Sequence, residues 1–257
     1  MGTFLFDKIV FGPVKSRRLG VSLGVNLLPL KKKVCNFNCI YCECGKENQS
    51  DLAKFPSRKE ITNALENKFC DMMLHEERID VITFAGNGEP TLHPDFPDII
   101  DDILFLREAY FPDVKIAVLS NATMIKNKSV FDALLKVDMN ILKIDSGIEN
   151  TCKLLNNPVG LYKLGETIDY IKKFNGKFIL QTMFMQGTVK GVEIDNTTDD
   201  EVDAFLEMLT EIKPSQVMIY TIDRETALPG LRKISILKLN EIAVRVKELR
   251  IPVKVSG

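Results

Sequence analysis

Val81-Ile-Thr-Phe-Ala-Gly-Asn-Gly-Glu-Pro90 opens as a short apolar run and ends in a glycine-rich turn carrying one acid. A run of this length, rich in β-branched residues and bounded by glycine, reads as a strand covered on both faces. The next stretch, Phe96–Tyr110, carries helical periodicity. This unit of strand, polar turn and helix recurs along the chain. Further apolar runs lie at Val21–Leu28, Ile116–Leu119, Ile141–Ile144, Phe178–Phe184 and Val217–Tyr220. Between them, Ser57-Arg-Lys-Glu60 and Thr198-Asp-Asp-Glu201 have the spacing of capping boxes. The first leads into Ile61, Leu65, Phe69 and Met72 on one helical face, the second into Val202, Phe205, Leu206, Leu209 and Ile212. Ser129–Lys136, Gly165–Phe174 and Ser235–Arg250 complete the helices.

Strands alternating with helices imply parallel βα units, about six of them, with a last strand at Val253–Val255. Six fall short of the eight that close a full barrel. The expected fold is α/β, a partial (β/α)6 TIM-like barrel of parallel strands, open on one side. The expected organisation is one domain over 1–257: an N-terminal extension (1–20), a barrel core (21–225), and a C-terminal helix and strand (226–257).

Composition sets the outer limits. The 257 residues are 45% hydrophobic and 27% charged, which excludes disorder, collagen and coiled coil. No apolar run reaches the length of a membrane span, and Asp7 and Lys8 interrupt any signal-peptide core. A cytoplasmic protein is expected. With 34 basic and 35 acidic residues the net charge of −1 gives no general drive toward nucleic acid or membrane.

The polar residues gather after the strands, where βα barrels carry their active sites. Gly86-Asn87-Gly88-Glu89-Pro90 follows the second apolar run, Ser120-Asn121 the third, Asp145-Ser146 the fourth and Gln186-Gly187 the fifth. Six cysteines in such a chain point to metal or redox chemistry rather than disulfides. Four of them, Cys35, Cys39, Cys42 and Cys44, fall within ten residues after the first run.

Cys35-x-x-x-Cys39-x-x-Cys42 arises by chance in this composition with a probability of about 0.003. Three thiolates in one loop suit three irons of a cubane. A [4Fe–4S] cluster takes four ligands, so one iron stays open, the mark of a catalytic rather than a structural site. Cys44 as a fourth ligand would make a plain electron carrier, and four thiolates could also hold zinc, although zinc spacing usually comes as two separated pairs.

With an aromatic, Tyr41, just before the last cysteine, this motif resembles the radical S-adenosylmethionine superfamily. Gly86–Pro90 resembles the superfamily's Gly-Gly-Glu-Pro segment, with Asn87 in place of a glycine. Phe11–Gly20, Ser22–Gly24, the cysteine loop through Gly45 and Gly86–Pro94 together resemble the group that includes wyosine-tRNA synthases. The resemblance implies a [4Fe–4S] cluster on Cys35, Cys39 and Cys42, with S-adenosylmethionine chelating the open iron and cleaved to a 5′-deoxyadenosyl radical that abstracts a substrate hydrogen. It implies that Gly86, Asn87, Gly88 and Glu89 hold the methionine end, the glycines by close backbone approach. Tyr41 then flanks the adenine, and Asn121 and Asp145 lie near the cofactor. The implied partner is an electron donor such as flavodoxin or ferredoxin. A glycyl-radical activating enzyme shares this cofactor set, whereas a non-catalytic electron carrier leaves Gly86–Pro90 unexplained. Wyosine synthases carry a second cluster, for which Cys70 and Cys152 do not suffice.

The remaining residues admit plainer readings. Cys70 and Cys152 read as core thiols, Asn121 also as a turn former, and Asp145 also as the partner of Lys143. Tyr220 and Gln181 read as pocket lining or as barrel packing. Arg17 and Arg18 either hold an anionic substrate or bridge loops. Lys31–Lys33 reads as a solvated run that an acidic donor could dock on. The lateral gap suits a protein or RNA segment as substrate, and a small molecule would need sealing by Asn150–Gly165 or Gln186–Thr198.

Overall fold

A computed structural model describes residues 4–45, 54–189, 191–224, 226 and 228–257. Residues 1–3 of the expected extension and Glu225, at the expected end of the core, lie outside them. Strand β1 (Val10–Ser16) turns back into β2 (Gly20–Val25), and the two pair antiparallel. Then follow α1 (Arg58–Leu74), β3 (Val81–Phe84), α2 (Phe96–Tyr110), β4 (Lys115–Ser120), α3 (Lys128–Lys136) and β5 (Met139–Lys143). The second half comprises α4 (Glu149–Asn156), α5 (Leu164–Lys172), β6 (Ile179–Val189), β7 (Val192–Asp195), α6 (Asp199–Ile212), β8 (Gln216–Thr221), β9 (Leu231–Lys233), α7 (Ile236–Glu248) and β10 (Val253–Ser256).

The strand order is β1-β2-β3-β4-β5-β6-β8-β10, parallel from β2 onward. The expected six strands and the seventh at β10 are all present, in an open half-barrel. Their outward residues, among them Leu23, Ile82, Ile116, Leu142, Leu180 and Val217, are buried beneath the helices in one core. Burial on both faces explains why these strands read as unbroken apolar runs.

Three strands depart from the expectation. Part of the N-terminal extension is an edge strand, β1, with no fully buried residue and carrying Pro13 and Lys15, residues that mark edges rather than apolar runs. Strand β6 overruns the barrel, and its second half pairs antiparallel with β7 and β9 above the mouth. The expected first run also ends early. The Asn26 side chain donates to the Leu28 carbonyl (3.0 Å) and accepts from the Leu28 N–H (3.2 Å), turning the chain toward the cysteines.

Register places Ser22, Thr83, Ala117, Ile141, Gln181 and Met218 on the concave face. The base of this concavity is plugged from the β1–β2 turn. Leu19 packs against Val81, Ala117, Ile141, Ile179 and Met218. Next to it, Arg18 donates to Gln181 Oε1 (2.7 Å) and its guanidinium lies 4.2 Å over the Tyr220 ring. Arg17 pairs with Asp223 at 3.4 Å, and Lys254 donates to the Arg18 carbonyl at 2.6 Å. The two arginines therefore bridge the open flanks of the sheet.

Two local readings are corrected. Ser57 and Glu60 form the capping box, but Glu201 does not return to Thr198. Its buried carboxylate instead accepts from Ser146 Oγ (2.6 Å) and Thr151 Oγ1 (2.5 Å), tying α6 to the loop after β5 and to α4. Cys70 is exposed on α1, whereas Cys152 is buried as expected. Hydrogen bonds to a charged group contribute about 1.5–3 kcal/mol each. Glu201→Ala should therefore destabilise the protein by about 3–5 kcal/mol in urea unfolding, with Glu201→Gln in between.

Candidate functional site

The cysteine loop runs from β2 toward α1 and is held by its backbone on two sides. On one side the Val34 N–H donates to the Asn87 carbonyl (2.8 Å) and the Glu89 N–H to the Val34 carbonyl (3.0 Å). On the other, Asn38 and Ile40 donate to the carbonyls of Asn157 (3.1 Å) and Leu155 (2.9 Å), and Val159 donates to Asn36 (2.9 Å). Asn157 ends α4 in the left-handed region, φ 40°, which lets the chain run on beside the loop. Ile40 and Tyr41 then pack against Leu155, Met185, Val189 and Ile194, so the β6 overrun forms a wall of the mouth.

This arrangement brings Cys35, Cys39, Cys42 and Cys44 to one cleft with about 600 Å3 of empty space. Gly86, Gly88, Glu89, Asn121 and Tyr41 line the same cleft, joined by Lys33, Lys143 and Gln181. Among the described residues, no three His, Cys, Asp or Glu side chains converge as on a single metal ion. A cubane is a larger body, and soft thiols facing a common space are the donor set it takes. The residues fit the cluster.

The thiols differ in their surroundings. Burial pushes Cys35 up to about 12 and raises Cys39 as well. The neighbouring Cys44 thiol and the Lys33 ammonium bring Cys42 down to about 6 against the effect of burial. Cys39 lies 3.3 Å from Asn156 Oδ1. Lys33 is 3% exposed, and its Nζ donates to the Gly45 carbonyl at 2.8 Å. It is thus a buried cation beside the thiols, which corrects the reading of Lys31–Lys33 as a solvated run. Only Lys31 is exposed.

Glu89 is 2% exposed. Its carboxylate accepts from the Asn121 N–H (2.7 Å), the Thr91 N–H (3.1 Å) and the Thr91 hydroxyl (2.5 Å). Burial still raises its pKa above the ordinary carboxylate range, so an arriving cation would offset an outstanding desolvation cost. Asn121 forms the turn and also reaches the cleft. Its Oδ1 closes a turn on Thr123, while its Nδ2 donates to Asn36 Oδ1 (2.8 Å) and faces Cys35 Sγ at 3.7 Å.

The two glycines of this loop make room for protein rather than for a ligand. A Cβ on Gly88, at φ +136°, would stand 1.9 Å from the Val34 carbonyl oxygen, and one on Gly86 would stand 2.3 Å from Asn26 Oδ1. Asn87 is fully buried and does not line the cleft. Its amide accepts from the Phe6 N–H (2.8 Å) and donates to the Phe6 and Pro29 carbonyls (2.9 Å each). The Asn87 side chain thus clamps the N-terminal segment.

Asp145 is also fully buried, behind the cleft. It accepts from the Tyr41 hydroxyl and from the Met183 N–H (3.2 Å), and pairs with Lys143 at 2.8 Å. Burial alone would lower Lys143, but the Asp145 carboxylate and the nearby Cys39 reverse the shift and keep the ammonium charged. Burial, then the Asp145 charge, raises Tyr41 far above its ordinary value, so the phenol stays protonated. Lys33 and Asn36 are the site residues that sequence reading missed. Their position within two residues of Cys35 was the available signal.

The sequence model of the Radical SAM superfamily matches residues 32–209, and the chain belongs to that superfamily. Its cofactors are S-adenosylmethionine and a [4Fe–4S] cluster. The chain is 32% identical over 229 residues to a GTPase Obg of Brachyspira hyodysenteriae, which covers 87% of this chain but only 31% of that protein. To a UPF0026 protein of Helicobacter pylori strain J99 it is 32% identical over 240 residues, covering 90% of this chain and 72% of the other. In fold it is similar to a radical SAM methyltransferase from Sphaerobacter thermophilus (TM-score 0.68, 16% identity, 91% of this chain, 65% of that one). It is also similar to archaeal TYW1 (TM-score 0.52, 11% identity, 88% and 71%). No helix among the described residues is long and apolar enough to cross a membrane.

The clamp role of Asn87 is open to test. Asn87→Ala removes three buried hydrogen bonds and should cost about 2–3 kcal/mol in urea unfolding. Binding of S-adenosylmethionine to the folded variant should weaken far less than on loss of Glu89.

Proposed function

We propose that Cys35, Cys39 and Cys42 hold a [4Fe–4S] cluster with one open iron, and that the chain is a radical enzyme abstracting hydrogen from a substrate bound in the same cleft. When bound, the cluster supplies the electron that cleaves S-adenosylmethionine to methionine and a 5′-deoxyadenosyl radical. The observation that carries this reading is the convergence of the three thiols with Gly86, Gly88 and Glu89 on one cleft.

In this reading Glu89 accepts a hydrogen bond from the cofactor's amino group, whose nitrogen would bind the open iron after losing a proton. The Gly86–Gly88 backbone flanks the methionine end, Asn121 presents an amide to it, and the Tyr41 ring flanks the adenine. Asp145 acts as a positioning residue, fixing Tyr41 and Lys143 at the cleft wall. Lys33 and Lys143 supply positive charge beside a cluster whose three thiolates leave it anionic. A flavodoxin or ferredoxin delivers the electron. The substrate is a segment of a larger molecule entering at the mouth. What supports this is a sheet that does not close.

Anaerobic reconstitution should give about four irons and four sulfides per chain. Alanine at any of the three cysteines should abolish the cluster, and with it the formation of 5′-deoxyadenosine under a strong reductant. Glu89→Ala should weaken S-adenosylmethionine binding at unchanged iron content; loss of iron together with binding would instead give Glu89 a folding role. Lys33→Met should retain iron and shift the cluster's midpoint potential to more negative values, because the reduced form loses a neighbouring cation, with Lys33→Arg nearer the wild type. An equal potential in all three proteins would remove Lys33 from the cluster's electrostatics.

A further inference from the structure

Cys44 stands outside the three-cysteine motif, yet its thiol lines the cleft with the other three. The chain after Cys42 is wound tightly: Gly45 donates to the Cys42 carbonyl (3.1 Å) at φ +73°, and Lys33 holds the Gly45 carbonyl. Glu43 between them is drawn outward, its carboxylate 2.9 Å from the Arg224 guanidinium and its carbonyl accepting from the Phe4 N–H (3.0 Å). With Glu43 outward, Cys42 and Cys44 both face in. The Cys44 Sγ shares the cleft lining with Cys42 and donates to the Gly86 carbonyl at 3.6 Å. It therefore lies between the thiols and the glycine loop, on ground the cofactor's methionine end would occupy.

We propose that Cys44 is an exchangeable fourth ligand: without S-adenosylmethionine it binds the open iron, and it yields that iron when the cofactor's amine arrives. The proposal rests on the cluster reading above. Three features favour exchange over permanent ligation. The Cys42-Glu-Cys44 spacing forces both thiols onto one cubane across a single intervening residue, a bent arrangement. The Gly86 carbonyl offers the freed S–H an acceptor. The displacing group is a chelate. The exchange also balances. The Cys44 sulfur–iron bond breaks and an amine nitrogen–iron bond forms. The proton that the ammonium must lose passes to the Cys44 thiolate, and no electron moves.

The test compares the full chain with its Cys44→Ala and Cys44→Ser variants, reconstituted anaerobically and checked for equal iron and sulfide. S-adenosylmethionine is titrated by calorimetry in buffers of differing protonation enthalpy at about pH 6.5, below the α-amino value of about 7.7–8.0. The wild type should release no proton per cofactor bound, while both variants should release about one and bind about tenfold more tightly. Without cofactor, limiting ferricyanide should convert the variants to the [3Fe–4S] signal in electron paramagnetic resonance at lower doses than the wild type. Saturating cofactor should abolish that difference. Equal proton release together with equal sensitivity to oxidant would overturn the exchange. So would loss of the cluster in both variants, which makes Cys44 a permanent ligand. If the wild-type chain holds no cubane or binds no S-adenosylmethionine, the cluster reading itself fails, and Cys44 with it.

Discussion

A loop that presents several thiols to one space has to satisfy its own peptide groups elsewhere, because an unpaired buried N–H or C=O costs as much as a lost hydrogen bond. Here the need is met by lateral pairing with two neighbours that are not strands of the barrel. Val34 is stitched to the Asn87–Glu89 backbone, and Asn36 to Ile40 are stitched to the segment after α4. The first contact is so close that position 88 admits no side chain. The second depends on α4 ending where it does, and α4 is anchored in turn through Thr151 to Glu201 of α6. Much of the architecture on this side of the barrel follows from holding one loop in register.

The charges around that loop form a second layer of constraint. Two ammonium groups, the buried Lys33 and the half-buried Lys143, stand beside thiols. Burial of an unpaired ammonium is costly. Lys143 offsets its cost with Asp145, which also engages the Tyr41 hydroxyl. Lys33 has the Gly45 carbonyl. An anionic occupant of the cleft would improve the balance for both lysines. The site is thus better satisfied electrostatically when filled.

Most of the barrel was legible in the sequence because its strands are buried on both faces, which writes them as apolar runs. β1, β7 and β9 were not: Lys15 and Pro13, Glu193 and Asp195, and Arg232 and Lys233 break any such run, and these strands depend on the neighbours they pair with. Helix α4 has no side-chain cap at Ile148 and only eight residues, too weak a local signal. At the site, the cysteines, Glu89 and Asn121 were readable because spacing and residue type carry their chemistry. The burial of Lys33 was not, since the partners of a lysine come from the folded chain. Asn87 illustrates the gap: the motif identified the position, but only the fold shows the amide turned toward Phe6. Glu201 illustrates another, a residue in perfect capping register diverted by two hydroxyls.

The plug at the base of the concavity has a consequence for traffic. With Leu19 seated among Val81, Ala117, Ile141, Ile179 and Met218, and Arg18 laid across Tyr220, the barrel has a floor as well as walls. That floor closes one end of the concavity, so the cleft is reached from the mouth and from the flank where the sheet does not close.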